Sequence, residues 1–329
     1  MRALERLLLV AAAAVIVAAV LPFGTQLWWA LGLTAHFRLQ YAVAGLVLLV
    51  PLALRRRFAW CAALTGAVAL GLPGLIAYPP VALLAAQTIA PATARSSADG
   101  ARVSIVSANL FFLNREPGRL APIIAAAAPD IVVLEELTPE AVRQLKQLAD
   151  TYPHRLQMPA EGPYGIALLS RYPLEDAQSF ALGQTTAVEA RVVAPDGVRF
   201  TIMGVHLRSP TSTQGAAERN RQLGLLAAER ARIAGPLVVI GDFNLSPFSP
   251  PYAKWLADSG LTDTRRHRTY LATWPTFLPI LGIPIDHCFI SKEFQLVDLK
   301  RLASFGSDHY PLLAEVVLEA RGDAQTAAR

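Results

Sequence analysis

Two patterns of hydrophobic and polar positions divide the chain. Up to residue 77 the apolar stretches are long and nearly free of charge. From Arg102 onward, short apolar runs of strand character alternate with helical ones. The first long stretch, residues 7–21, follows Arg2 and Arg6, carries no charge and ends at Pro22; two more cover about 39–54 and 58–77. With flanking residues these approach the roughly 20 residues a bilayer requires. No small-x-small site closes the first, so a retained anchor of three transmembrane helices (about 7–23, 37–54 and 58–77) is expected rather than a cleaved signal peptide. Residues 79–100 combine Pro79-Pro80, a mildly apolar run and a Ser/Ala/Gly-rich end, and read as a juxtamembrane linker. A domain over 101–320 and a disordered tail over 321–329 complete the expected organisation.

Within that domain the pattern predicts a strand over 103–108 ending at Asn109, a helix over 117–127, and a strand over 130–134 ending at Glu135-Glu136. Thr138-Pro139-Glu140 opens a helix, with a cap residue followed by proline at the first helical position. A strand follows at 165–170, then a hairpin of 186–194 and 198–206 around Pro195-Asp196-Gly197, which delivers His206. A long helix over 214–233 precedes a strand that stops at Gly241, and further strands are expected at 285–290, 294–302 and 312–317. Hairpins mixed with βα units predict an α/β sandwich of mixed sheets rather than a doubly wound parallel sheet.

The net charge of +5 and pI of about 9.4 look like those of a nucleic-acid binder until they are located. Residues 1–99 hold seven basic and two acidic side chains of the 30 and 25 in the chain, which leaves 23 of each for residues 100–329. The basic excess thus belongs to the apolar part, as Arg2, Arg6 and the triplet Arg55-Arg56-Arg57 between the second and third spans. The positive-inside rule puts both groups on the cytoplasmic side, and an odd number of spans then puts everything after residue 78 outside the cytoplasm. Cys61 and Cys288 have neither disulfide nor metal-knuckle spacing and read as inert buried residues.

The chemistry collects at strand ends. Asn109, Glu136, His206, Asp242 with Asn244, Asp286, and Asp308 with His309 each close an apolar strand or enter a loop, where an α/β scaffold places reactive groups. Asp242 and Asn244 project to one side of their chain, and a carboxylate beside an amide suits an oxygen-rich, metal-assisted phosphate site. Taken singly, Asn109 reads as a turn residue, Glu136 as part of a helix start and His206 as a satisfied core histidine.

Together, Ser107-Ala108-Asn109, Val133-Leu134-Glu135-Glu136, Gly165 to Arg171, Val205-His206-Leu207, Gly241-Asp242-Phe243-Asn244, Ile285-Asp286-His287 and Ser307-Asp308-His309-Tyr310-Pro311 resemble the endonuclease/exonuclease/phosphatase superfamily. The resemblance implies a DNase I-like four-layer sandwich of two mixed β-sheets flanked by helices, and hydrolysis of a phosphate ester or anhydride. It implies Mg²⁺ (or Mn²⁺) on Glu136, with Asp308 and Asn109 nearby. Asp242 would orient or deprotonate water, and His309 would act near phosphorus with Asp286 fixing its tautomer. His206 would stabilise phosphoryl charge, Asn109 and Asn244 would contact phosphate oxygens, and Tyr164 and Arg171 are further substrate-binding candidates. Glu135 departs from the glutamine common at its position.

The uncharged loop from Trp274 to Pro284 runs straight into Asp286, where a nuclease would gain more from Arg and Lys. It reads either as a lipid-contacting loop or as a cover over the domain's own core. Three spans before an external domain look like bacterial membrane phosphatases of teicoplanin-type resistance, which act on undecaprenyl pyrophosphate, so the expected partners are the bilayer and a phosphorylated lipid. The alternative is a membrane-tethered nuclease, favoured by Arg265-Arg266-His267-Arg268 with Arg208, Arg219 and Arg221. A binding module with a decayed site is disfavoured because the principal motif residues are all present.

Overall fold

The computed structural model describes residues 2–80, 101–195 and 197–318. The linker run after residue 80, Asp196 of the hairpin turn and the expected tail fall outside them.

The N-terminal part packs as α1 (Arg2–Val20), α2 (Arg38–Leu54), α3 (Phe58–Ala69) and α4 (Leu72–Ala77), with 3-10 turns over Leu21–Gly24 and Trp29–Phe37. Of the three expected spans, two are helices long and apolar enough to cross a membrane, Ala3–Gly24 and Trp29–Leu54. The third is not one continuous helix. It breaks at Leu70-Gly71 into a 12-residue and a 6-residue helix, where Pro73, lacking an N–H, has to sit in the first turn of a new helix. Ala12, Leu52 and Leu64 bury a small core between α1, α2 and α3, while Leu7, Val10, Val43, Leu46, Val47 and Val50 point outward, each more than 50% exposed. The Arg57 guanidinium pairs with Glu5 at one end of this bundle. At the other end the His267 N–H donates to Ala77 O (2.6 Å) and the Tyr270 N–H to Pro79 O (2.8 Å), which joins the bundle to the following domain.

Among the described residues that domain holds two six-stranded sheets. The first contains β1 (Ala101–Asn109), β2 (Ile131–Glu135), β3 (His154–Met158), β4 (Ile166–Ser170), β11 (Phe294–Arg301) and β12 (Leu312–Leu318), in the order β11-β12-β1-β2-β4-β3. The second contains β5 (Leu174–Leu182), β6 (Thr185–Val193), β7 (Arg199–His206), β8 (Leu237–Asp242), β9 (Thr262–Asp263) and β10 (Asp286–Ile290), in the order β5-β6-β7-β8-β10-β9. Central strands are buried on both faces, which is why they read as unbroken apolar runs. Val103, Ile105, Val238 and Ile240 meet between the sheets. Val106, Ala108, Val132 and Leu134 face α5 (Leu120–Ala127), α6 (Pro139–Gln144) and α7 (Leu148–Thr151). Leu237 and Val239 face α8 (Thr213–Arg232) and α9 (Pro250–Ser259), in a cluster that also takes in Ala35, Leu75 and Tyr78 of the N-terminal part. The layers run helix, sheet, sheet, helix. The expected cap forms: Thr138 Oγ1 accepts from the Ala141 N–H at 3.1 Å.

Beyond the expected strands lie β3, β5 and β9. β3, β5 and β9 are sheet edges, so their side chains alternate weakly or are mostly exposed, and β5 carries a bulge between Glu175 and Gln178.

What positions the site is the pairing of the central strands. β1 and β2 are parallel with Asn109 opposite Glu135, and β7 and β8 are parallel with His206 opposite Asp242. β10 runs antiparallel to β8 and starts with Asp286 opposite Asp242. Each sheet therefore delivers its polar strand ends to the same edge of the sandwich. Gly241 permits the closest approach: its φ is +147°, and a Cβ there would stand 1.9 Å from Val205 O.

Candidate active site

Asp242 closes β8 and is 1% exposed. Its Oδ1 accepts from the Asn244 N–H at 2.8 Å, the turn that aspartate favours two residues before a backbone donor. Its Oδ2 accepts from Asn109 Nδ2 and Asn244 Nδ2, each at 3.2 Å. Asn109 Nδ2 also reaches Glu136 Oε1 at 3.2 Å, and Glu136 Oε2 accepts from the Phe112 N–H at 2.8 Å. Phe111, Glu136 and Asn244 all have positive φ (58°, 56° and 48°), uncommon for residues with side chains and concentrated here at three turns around one point.

Across this group, His309 Nδ1 donates to both oxygens of Asp286 (3.1 and 3.0 Å), which leaves Nε2 3.8 Å from Asp242 Oδ2. Ser307 holds the loop: its Oγ donates to Asn109 O (2.7 Å) and accepts from the His309 N–H (3.0 Å). Burial works against charge on His309, yet the carboxylates of Asp286 and Asp242 outweigh it and raise its pKa. Burial raises that of Asp242, with Asp286 and Glu136 adding to the rise against the opposing pull of His309.

His206 Nδ1 donates to Pro163 O at 3.0 Å, so a backbone carbonyl orients this ring. Its Nε2 lies 3.5 Å from Asp242 Oδ2, 3.5 Å from Asn244 Nδ2 and 3.8 Å from Glu136 Oε1. Burial lowers its pKa, opposed by Glu136. With Nδ1–H already committed, donation from Nε2 to a phosphoryl oxygen requires the imidazolium, a form that an incoming anion favours.

One assignment changes. Arg171 sits at the far end of the first sheet: β4 runs antiparallel to β2, so Ile166 pairs with Glu135 at the site while Ser170 pairs with Ile131 away from it. There Arg171 Nε donates to Pro129 O (2.8 Å) and its guanidinium lies 5.5 Å from the Tyr152 ring. Arg171→Ala is therefore expected to lower stability by roughly 0.5–1.5 kcal/mol and to leave KM within twofold, read by thermal unfolding and steady-state kinetics. Asp308 lines the cavity; its Oδ2 accepts from Trp274 Nε1 (2.9 Å), and among the described residues Oδ1 has no hydrogen-bond partner. The three-donor group within reach of one cation is Asp242, Asp286 and His309, whose ligand atoms lie within 4.8 Å of one another. It shares no member with Glu136, Asp308 and Asn109. Two of its members are already hydrogen-bonded to each other as a carboxylate–imidazole pair, whereas the carboxylates of Glu136 and Asp242, bridged by Asn109 Nδ2, offer a hard cation oxygen donors.

Glu135 points away from the cavity. It is fully buried, and its Oε1 accepts from Ser107 Oγ at 2.6 Å. Burial holds its carboxyl well above the usual range, with Asp286 and Asp242 adding to the effect against the Ser107 bond. A protonated carboxyl has the shape of an amide, so Glu135→Gln is expected to retain activity within about threefold and near-wild-type melting; a loss approaching that of a Glu136 variant would assign Glu135 a direct role.

The cluster opens into a cavity of about 410 Å³. Glu136, Asp242 and Asp308 supply carboxylates to its wall, and among the described residues no Lys or Arg lines it. Of the residues offered for a basic surface, Arg265, Arg219, Arg221 and Arg208 are engaged elsewhere, while Arg266, His267 and Arg268 are exposed. Arg265 is 1% exposed and donates to His287 Nδ1 (2.7 Å). Arg219, also buried, donates to Asn244 O (3.1 Å) and so holds the loop that follows β8, a role its place in a basic helix did not signal. Arg221 pairs with Glu218 (2.8 Å), and Arg208 pairs with the Tyr164 hydroxyl and lies 5.2 Å from its ring. Tyr164 itself is on the cavity wall. Uncompensated carboxylates of this kind fit an oxygen-coordinated divalent cation. Leu33, His36 and Phe37 of the N-terminal part line the same cavity, which the sequence hinted at only through a lone histidine in an apolar stretch.

Comparison with known proteins gives the fold and the family. A UPF0294 protein of Vibrio cholerae serotype O1 is 32% identical over 130 residues, 39% of this chain and 43% of the relative, so less than half of that relative's length is spanned. The crystal structure of an endonuclease/exonuclease/phosphatase from Beutenbergia cavernae superposes with a TM-score of 0.55 at 22% identity, over 67% of this chain and 72% of that one. D. rerio TDP2, solved in complex with a single-strand DNA product, gives 0.55 at 20% identity over 66% of this chain and 99% of that one. At these identities the likeness of the two structures is one of fold. The model of the Endonuclease/Exonuclease/phosphatase family matches residues 106–309, from within β1 to the histidine beside Asp286, and the chain belongs to that family.

Proposed function

We propose that the protein is a divalent-cation-dependent phosphohydrolase, anchored in the cell membrane by its N-terminal helices, that cleaves a phosphate ester or anhydride of a lipid outside the cytoplasm. The observation that carries the reading is the cavity: a carboxylate–imidazole cluster on one side, apolar walls on the other, and no lysine or arginine among its described lining residues. A polyanionic nucleic acid needs basic contacts along its backbone, whereas a single phosphoryl group on a hydrocarbon chain does not. Phe277 and Ile280, 74% and 79% exposed at the tip of the loop that follows Trp274, extend the apolar surface outward and suit contact with lipid. The basic end of the bundle, at Arg57 and Glu5, lies opposite the end joined to the catalytic domain, which supports an external orientation.

Glu136, with Asn109 and Asp242 beside it, would hold Mg²⁺, which would supply charge neutralisation at the phosphoryl oxygens. Asp242 accepts a proton from the attacking water as its oxygen bonds to phosphorus, the bond from phosphorus to the leaving oxygen breaks, His309 gives its Nε2 proton to that oxygen, and Asp286 keeps the other His309 proton on Nδ1. His206 and Asn244 donate to the oxygens that gain charge as phosphorus becomes five-coordinate.

A side-by-side assay of the full chain with Mg²⁺ tests the reading, using undecaprenyl pyrophosphate, a phosphodiester lipid and linear DNA as substrates and Asp242→Ala as the control. Hydrolysis of a lipid phosphate at least tenfold above DNA is expected. Preference for DNA would replace the reading with that of a membrane-tethered nuclease.

A further inference from the structure

The apolar N-terminal segment does more than pass by the catalytic domain. The 3-10 turn of Trp29–Phe37 and the first turn of α2 are pinned to it. Trp29 Nε1 donates to Thr213 Oγ1 (2.8 Å), Gln40 Nε2 donates to Gly282 O (2.9 Å), and Ala35 is fully buried in the core of the second sheet. His36 Nδ1 is 2.7 Å from Ser246 Oγ and accepts from the Ser246 N–H at 3.3 Å. A backbone N–H can only donate, so the ring proton of neutral His36 resides on Nε2, and the residue lines the catalytic cavity. Leu33 and Phe37, half-buried on the same turn, form an apolar wall that faces the cavity together with Phe112, Trp274 and Ile283.

We propose that this segment is part of the substrate site: Leu33 and Phe37 receive the first carbons of the substrate's hydrocarbon chain, and His36 donates from Nε2 to its phosphorylated headgroup. The proposal rests on the reading of the substrate as a lipid phosphate. It makes the anchor a specificity element, because a hydrocarbon chain leaving the cavity along Leu33 and Phe37 continues beside α2 toward the bilayer.

The test uses the full-length protein in nanodiscs with Mg²⁺ and measures binding of alkyl phosphonates from methyl to about octyl. For the wild type, affinity is expected to rise by roughly threefold per methylene and then level off. Leu33→Trp, which fills the wall, should move the plateau to shorter chains while leaving methyl phosphonate within twofold. His36→Ala should weaken every chain length by a similar factor, roughly five- to tenfold, as loss of one headgroup hydrogen bond requires. If Leu33→Trp does not fold, Phe37→Ala enlarges the same wall and should move the plateau to longer chains. A wild-type rise whose plateau neither variant moves overturns the proposal and leaves the lipid-phosphate reading standing. A flat wild-type series from a protein that cleaves DNA overturns both.

Discussion

Replacing His309 with Ala is expected to lower kcat/KM on whichever phosphate ester the protein hydrolyses best by about 10²–10⁴, with the fold intact by circular dichroism. The effect should be large because nothing else occupies its place: Asp286 fixes Nδ1 from 3.0 Å, and Nε2 points toward the buried Asp242 carboxylate. Burial alone would discharge this imidazole, but Asp286 and then Asp242 raise its pKa, so it carries a proton at neutral pH. Activity should accordingly fall on the alkaline side as His309 loses that proton, and on the acid side as Asp242 gains one. Asp286→Asn removes the largest charge that raises the His309 pKa, so the alkaline limb should move to lower pH by about 1–3 units. A profile whose alkaline limb stays in place in that variant would remove His309 from the acid–base role, as would full activity in His309→Ala.

Glu136→Gln is expected to raise the Mg²⁺ concentration needed for half-maximal activity by at least about 10² and to lower the saturated rate, since a neutral amide replaces an anionic ligand of similar shape. Its carboxylate is aimed from both sides, by the Phe112 N–H at 2.8 Å and Asn109 Nδ2 at 3.2 Å, and the backbone adopts φ 56° to present it. Direct titration with Mn²⁺, followed by paramagnetic relaxation, reads the site independently of turnover. Unchanged Mn²⁺ affinity in Glu136→Gln, together with its loss in Asp286→Asn, would move the ion to the Asp242–Asp286–His309 group. The neighbouring Glu135→Gln supplies the internal contrast: the same chemical change one residue earlier, on a side chain that faces Ser107 instead of the cavity.

Local pattern was sufficient wherever both faces of an element are buried or a motif is contiguous. The strands ending at Asn109, Glu135 and Asp242, the Thr138 cap and the motif around Gly241 all follow from periodicity and turn chemistry over a few residues. Three of the four edge strands among the described residues escaped it because partial exposure blurs alternation, as at β3 and β5. The third apolar span looked continuous by composition and broke at Gly71-Leu72-Pro73, where backbone chemistry overrides hydropathy.

Residue types alone named the chemistry: carboxylates, amides and imidazoles at strand ends are legible in any order of assembly. Distances between segments were not, because they depend on sheet pairing. Antiparallel pairing of β4 with β2 carries Arg171 to the far edge, and burial turns Arg265 and Arg219 into internal donors, none of which has a local signature. The same holds for Leu33, His36 and Phe37, which reach the catalytic cavity from a segment more than seventy residues before its first catalytic strand end at Asn109. Which faces are apolar is a property of the chain. Which face meets which is decided by packing across the whole fold, and that meeting makes the apolar anchor and the phosphate chemistry parts of one site.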